Sequence, residues 1–183
     1  MTFLHHHSHV HRRVAEGTSS PTLGAGAPGV TVEFLTLPED VGNAFSIMRG
    51  VVPAGVVVPL HSHDEAEAFF IVDGTQQVLI QGPDGLEWND FHAGDYVNVP
   101  PGTPHAHRNV SDRPAVDLII TTARMGRFFL EVGKPEADRP APRTPDDVAQ
   151  FIATAVRYGY SLGTPEENAA VGIELPGVPP GRQ

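Results

Sequence analysis

The stretch Gly55-Val-Val-Val-Pro-Leu-His61-Ser-His63-Asp-Glu-Ala-Glu67-Ala-Phe-Phe-Ile-Val-Asp-Gly74 decides the fold. It is β-branched and apolar before His61, apolar again after Glu67, and closed at each end by a glycine that lets the chain turn sharply. Successive residues of an extended chain point to opposite faces. His61, His63 and Glu67 share one parity, so in an extended segment all three project to one side. A turn or bulge near Asp64 shifts that phase without separating the groups far. Two imidazoles and a carboxylate on one side are the donor types of a transition-metal site. Phe69 and Ile71 continue the same phase and are expected to wall the pocket.

A second stretch, Gly94-x5-Pro100-x-Gly102-x2-His105-x3-Asn109, sets a tight turn at Pro100 and Gly102 just before His105. On a neighbouring strand His105 supplies a fourth ligand. His107 shares the parity of His105 and is read as a cavity-lining donor or base, or as a core histidine. Glu65 shares the parity of the ligands, but Asp64 and Glu65 read first as a solvated turn. His92 is expected to be exposed.

Outward from these stretches the pattern is strand, turn, strand. Val30–Leu35, Phe45–Val52, Gly55–Pro59, Glu67–Val72, Gln77–Gln81, a strand beginning at Leu86, Tyr96–Val99, Ala106–Val110 and Val116–Thr122 read as short strands. Nineteen glycines and eighteen prolines punctuate the chain and leave no room for long helices in this region. Many short strands at regular turn spacing indicate an all-β barrel or sandwich. No internal repeat is present, so one barrel is expected, over residues 29–125.

The flanks read differently. Residues 1–28 form a flexible N-terminal arm whose His5, His6, His7, His9 and His11 read first as incidental to the tail, with metal affinity as the alternative. Residues 126–183 form a helical C-terminal extension. A short helix at Gly126–Glu131 ends at Gly133. A second starts at the N-cap Thr144 with Pro145 and two aspartates in its first turn. Its stripe Val148, Phe151, Ile152, Ala155, Val156 predicts packing against the barrel, and Gly159 is its stop. Leu175–Gln183 is expected to fray.

Composition narrows the function. Twenty-two acidic against twelve basic residues give a net charge of −10, which repels phosphate backbones and excludes nucleic acid as a partner. No apolar run approaches the roughly 18–20 residues that span a bilayer, so no membrane association is expected. Met1–Arg13 has no apolar core of a signal peptide. The absence of cysteine fits a reducing cytoplasm.

Taken together, the two motif stretches resemble the paired signature motifs of the cupin superfamily. Gly55, His61, His63, Glu67 and Gly74 match the first, and Gly94, Pro100, Gly102, His105 and Asn109 match the second. The resemblance runs from about Ala44 to Thr122. It implies a jelly-roll barrel with a short helical extension, and one divalent transition metal (Fe, Mn, Ni, Co or Zn) on His61, His63, Glu67 and His105. The segment Arg127-Phe128-Phe129-Leu130 and the tail after it resemble small bacterial single-cupin dioxygenases of the quercetinase type. That likeness implies a dioxygenase acting with dioxygen on a flavonol or other enolisable aromatic small molecule, with Glu67 as catalytic base. Two rivals stand beside it: a non-oxidative cyclase, isomerase or decarboxylase, and a cupin that binds a small molecule without turnover. A homodimer is expected, through pairing of the apolar strand Val30–Leu35 with a second copy.

Overall fold

The computed structural model describes residues 22–24, 29–135 and 144–175. The histidine-rich run His5–His11 and the chain after Leu175 lie outside the described residues.

Twelve strands among the described residues form two antiparallel sheets. They are β1 (Thr22–Gly24), β2 (Thr31–Thr36), β3 (Phe45–Val52), β4 (Val57–Ser62), β5 (Glu67–Asp73), β6 (Thr75–Gly82), β7 (Gly85–His92), β8 (Tyr96–Val99), β9 (His105–Arg108), β10 (Ala115–Thr122), β11 (Lys134–Pro135) and β12 (Ser161–Leu162). The first sheet has the order β11-β1-β2-β3-β10-β5-β8 and the second β12-β4-β9-β6-β7. This is the all-β jelly roll that the strand pattern predicts. The expected bounds of β3 and β8 match to the residue.

Alternation explains the packing. Val32 and Phe34 of β2 are buried while Thr31 and Glu33 between them are half-buried. With Met48, Phe69, Ile71, Val78, Val97, Val99 and Ile119 they fill the space between the sheets. A second cluster, Leu60, Leu79 and Ala106, is covered by Ile173 from the C-terminal segment. Gly74 turns β5 into β6 at φ +80°, and a Cβ there would lie 2.9 Å from the backbone of Pro114 and Ala115. Asn109 ties the barrel end together by donating to the carbonyls of Val52 and Arg113 at 2.9 and 2.7 Å.

Three features depart from the sequence reading. Thr22–Gly24, inside the predicted arm, pairs with β2 on one side and β11 on the other. Residues 31–33 of β2 therefore have β1 on one side and β3 on the other, so this part of the edge expected to meet a second copy is already paired among the described residues. The helices are α1 (Ala123–Val132), α2 (Pro145–Arg157) and α3 (Pro165–Ala170). α1 starts three residues earlier than expected because the Thr122 side chain accepts from Met125 N–H and caps it. The Thr144 cap and Pro145 start of α2 hold, with Asp147 closing a capping box. Its apolar stripe packs only in part: Ala155 is buried and the half-buried Phe151 meets the Phe128 ring at 6.0 Å, while Val148, Ile152 and Val156 are 43, 44 and 62% exposed.

One buried polar pair lies among the core side chains. Asp117 of β10 is 2% exposed and accepts from Gln76 Nε2 at 2.5 Å. Burial pushes its carboxyl up to about 6, against a hydrogen bond from Gln76 that pulls it down. A raised acid adds stability that is fully present below its unfolded value of 3.8 and is lost as pH rises through 6. Two pKa units correspond to about 3 kcal/mol. Asp117→Asn keeps an acceptor for Gln76 without the ionisation. Thermal unfolding measured from pH 4 to 8 should show the wild type losing stability relative to this variant as pH rises.

Candidate metal centre

The four predicted ligands come together, drawn from both sheets. His61 lies on β4 and His105 opens β9, its registered neighbour in the five-stranded sheet. A bulge between Val58 and His61 resets the phase of β4. His63 sits in the connection after β4, and Glu67 opens β5 in the seven-stranded sheet. The segment from His61 to Glu67 is thus a strand, a turn and a new strand, with the turn at Asp64–Glu65. The turn before His105 is locked to this one, because Gly102 N–H donates to His63 O at 2.7 Å and Gly102 has φ +74°. His63, Glu67 and His105 are buried, and His61 is half-buried.

The histidine tautomers follow from backbone contacts. Nδ1 of His61, His63 and His105 lies 2.7, 2.8 and 2.8 Å from the carbonyls of Pro59, Glu65 and Thr103. A carbonyl oxygen only accepts, so each Nδ1 carries the proton. In the neutral rings Nε2 is then a bare lone pair. His63 Nε2 and His105 Nε2 face Glu67 Oε2 at 3.3 and 3.4 Å. The His105 contact lacks hydrogen-bond geometry, and its Nε2 is otherwise without a partner. Lone pairs aimed at a carboxylate repel unless positive charge lies between them. Ligands at about 2.0–2.2 Å on adjacent positions of one ion are spaced about 3 Å apart, so these donors suit a divalent metal. Ligand atoms of His61, His63 and His105 lie within 4.8 Å of one another.

Burial raises the Glu67 carboxyl, and His105 and His63 lower it only where their Nε2 atoms carry a proton or positive charge; with the proton on Nδ1, that positive charge would have to come from an ion between them. Burial, with His105 beside it, holds His61 well below the ordinary histidine value, which keeps its lone pair available.

Other predicted groups settle as follows. His92 is exposed at the end of β7. Glu65 is not a solvated turn residue: Arg124 Nη1 contacts it at 2.9 Å and the Thr122 hydroxyl donates to it. Phe69 and Ile71 are buried, and the Phe69 ring meets that of His107 edge-on at 4.3 Å.

Sequence reasoning missed Tyr160. Its ring lies 5.0 Å from that of His63 and 6.1 Å from that of His61, and stacks on Phe128 at 4.4 Å. It arrives because β12 pairs with β4, Leu162 opposite His61. Asn168 of α3 fastens that segment by accepting from Leu60 N–H at 3.0 Å and donating to the carbonyls of Gly163 and Thr164. Burial, with Glu67 nearby, pushes the Tyr160 phenol well above its ordinary value, so it is a proton-bearing group. Its sequence neighbourhood carries no motif; only the sheet pairing brings it to the site.

Comparison with known proteins agrees with this geometry. Residues 48–121 match the family model described as Cupin domain. A stretch of 95 residues is 30% identical to quercetin 2,3-dioxygenase of Bacillus subtilis, covering 51% of this chain and 27% of that protein. A stretch of 69 residues is 36% identical to the dimethylsulfoniopropionate lyase DddQ of Ruegeria pomeroyi, covering 38% of this chain and 32% of the lyase. Each alignment spans about a third or less of the relative. Among solved structures, the polyketide cyclase RemF of Streptomyces resistomycificus superposes over 81% of this chain and 98% of its own, with a TM-score of 0.54 and 17% identity, a likeness of fold.

His61→Ala combined with His105→Ala should abolish stoichiometric uptake of a divalent transition metal, measured by elemental analysis after dialysis, while far-UV circular dichroism stays that of the wild type. Full occupancy in the double variant would remove these side chains from the ligand set.

Proposed function

From the cupin domain that this chain carries over residues 48–121, we propose that it is a metal-dependent enzyme acting on a small molecule, with His61, His63, Glu67 and His105 as the ligands of one divalent ion. The observation that carries this reading is the set of Nε2 lone pairs turned on Glu67 by backbone carbonyls. Fe, Mn, Ni, Co and Zn all suit three imidazoles and a carboxylate.

The reaction we favour is quercetinase-like dioxygenation of a flavonol or another enolisable aromatic. The 30% identity with a quercetin 2,3-dioxygenase supports it. A metal held here would supply Lewis acidity at a substrate oxygen and, for the redox-active ions of the set, a redox path for dioxygen. Glu67 is ionised and therefore in the proton-accepting form. An enol oxygen bound to the ion would have its proton made more acidic, which would bring that proton within reach of a carboxylate base such as Glu67. Phe69 and the apolar side chains behind it exclude water. Tyr160 closes the His61 and His63 side with an aromatic face and a protonated hydroxyl.

The 36% identity with a lyase supports a second reading, in which the same centre serves a non-oxidative elimination, isomerisation or decarboxylation. Oxygen consumption during turnover separates the two. A second copy of the chain remains a proposed partner. No helix among the described residues is long and apolar enough to cross a membrane, and we propose a cytoplasmic location.

Oxygen uptake with flavonols and related enols should be dependent on added metal. Metal-saturated Glu67→Gln should then be slower by about 10²–10⁴-fold if Glu67 takes the enol proton. Full activity of that loaded variant would leave Glu67 as a ligand alone. Turnover of an enol without oxygen uptake would select the non-oxidative reaction.

A further inference from the structure

His107 lies beside the four-ligand set and is left unexplained by it. It is 5% exposed, on β9, two residues beyond His105 and on the same face. Neither ring nitrogen has a hydrogen-bond partner. A buried neutral imidazole carries one N–H and one lone pair, and leaving both unmet is a standing cost that native interiors avoid. The lining on one side is the Phe69 ring, which meets neither need. On the other side the His105 ring lies 5.5 Å away. Ligand atoms of His107, His105 and Glu67 fall within 4.8 Å of one another, and all three residues are buried.

We propose that Glu67, His105 and His107 form a second, deeper position for a divalent transition ion, and that one ion distributes between it and the position formed with His61 and His63. The proposal rests on the reading of this site as a metal centre. The donor set is two imidazoles and one carboxylate, the same chemistry as the outer set, and suited to the same ions. The two positions share His105 and Glu67, so they exclude each other and the stoichiometry stays at one. The outer position borders the half-buried His61 and Tyr160; the deeper one is enclosed by Phe69 and the barrel interior. An ion in the deeper position leaves the His61 and His63 nitrogens free to meet an incoming ligand.

The test uses Cu(II) as the probe, and pulsed electron paramagnetic resonance to count coordinated imidazoles. The wild type should bind one Cu(II) with two overlapping signals, and His107→Phe should keep one Cu(II) with a single signal. In His61→Ala/His63→Ala, one Cu(II) should remain, with two imidazoles coordinated; adding His107→Phe should leave one imidazole and weaken binding by about 10–100-fold or more. A single signal in the wild type that His107→Phe leaves unchanged overturns the deeper position, and does so even if the multiple variants fail to fold. One imidazole in a folded His61→Ala/His63→Ala variant overturns it as well. A folded wild type that takes up no Cu(II), Co(II) or Mn(II) overturns the metal-centre reading itself, a distinct result from either of these.

Discussion

The structure turns on three hydrogen bonds from imidazole Nδ1 to backbone carbonyls. Pro59, Glu65 and Thr103 each take the Nδ1 proton of a histidine two positions away in sequence. The backbone thus fixes both the orientation of each ring and the atom it presents. In its neutral form each ring presents a bare Nε2, and two of the three face the Glu67 carboxylate. Such a cluster is self-repelling without a cation and complementary with one. The rest of the barrel holds these groups against that repulsion.

The two sheets share the task. His61 and His105 come from registered positions on adjacent strands of the smaller sheet, while Glu67 comes from the larger. The Gly102 N–H bond to His63 O fastens the loops that carry them. Hydrophobic burial behind the site supplies the restoring force, since Phe69, Ile71, Val97, Val99 and Ile119 pack directly between the sheets. The C-terminal segment adds Ile173 over the Leu60, Leu79 and Ala106 cluster and Tyr160 beside His63. It belongs to the barrel in its packing, although its sequence reads as an appendage.

The partial sequence likenesses fall on proteins with different reactions, a dioxygenase and a lyase among them. Ligand identity therefore bounds the chemistry without choosing it. The groups around the candidate ligands are an imidazole at His107 without a hydrogen-bond partner, an aromatic wall at Phe69 and a phenol at Tyr160 that burial keeps protonated.

By itself the sequence determined the strand succession, the helix start at Thr144 and the four candidate ligands. Each of these is written locally. Alternation over Phe45–Val52 and Tyr96–Val99 sets strands, Thr144-Pro145 sets a cap, and motif spacing sets His61, His63, Glu67 and His105. Tertiary structure alone decided that β1, β11 and β12 exist, because strands of two or three residues are defined by their partners and not by their own pattern. It decided that Val148, Ile152 and Val156 face outward, since helical spacing gives a stripe but not what covers it. It decided that Asp117 is buried against Gln76, a pairing forty-one residues apart. It also brought Tyr160 to His63 and left His107 without a partner, because both follow from which strands lie side by side, and pairing at long range leaves no mark in local sequence.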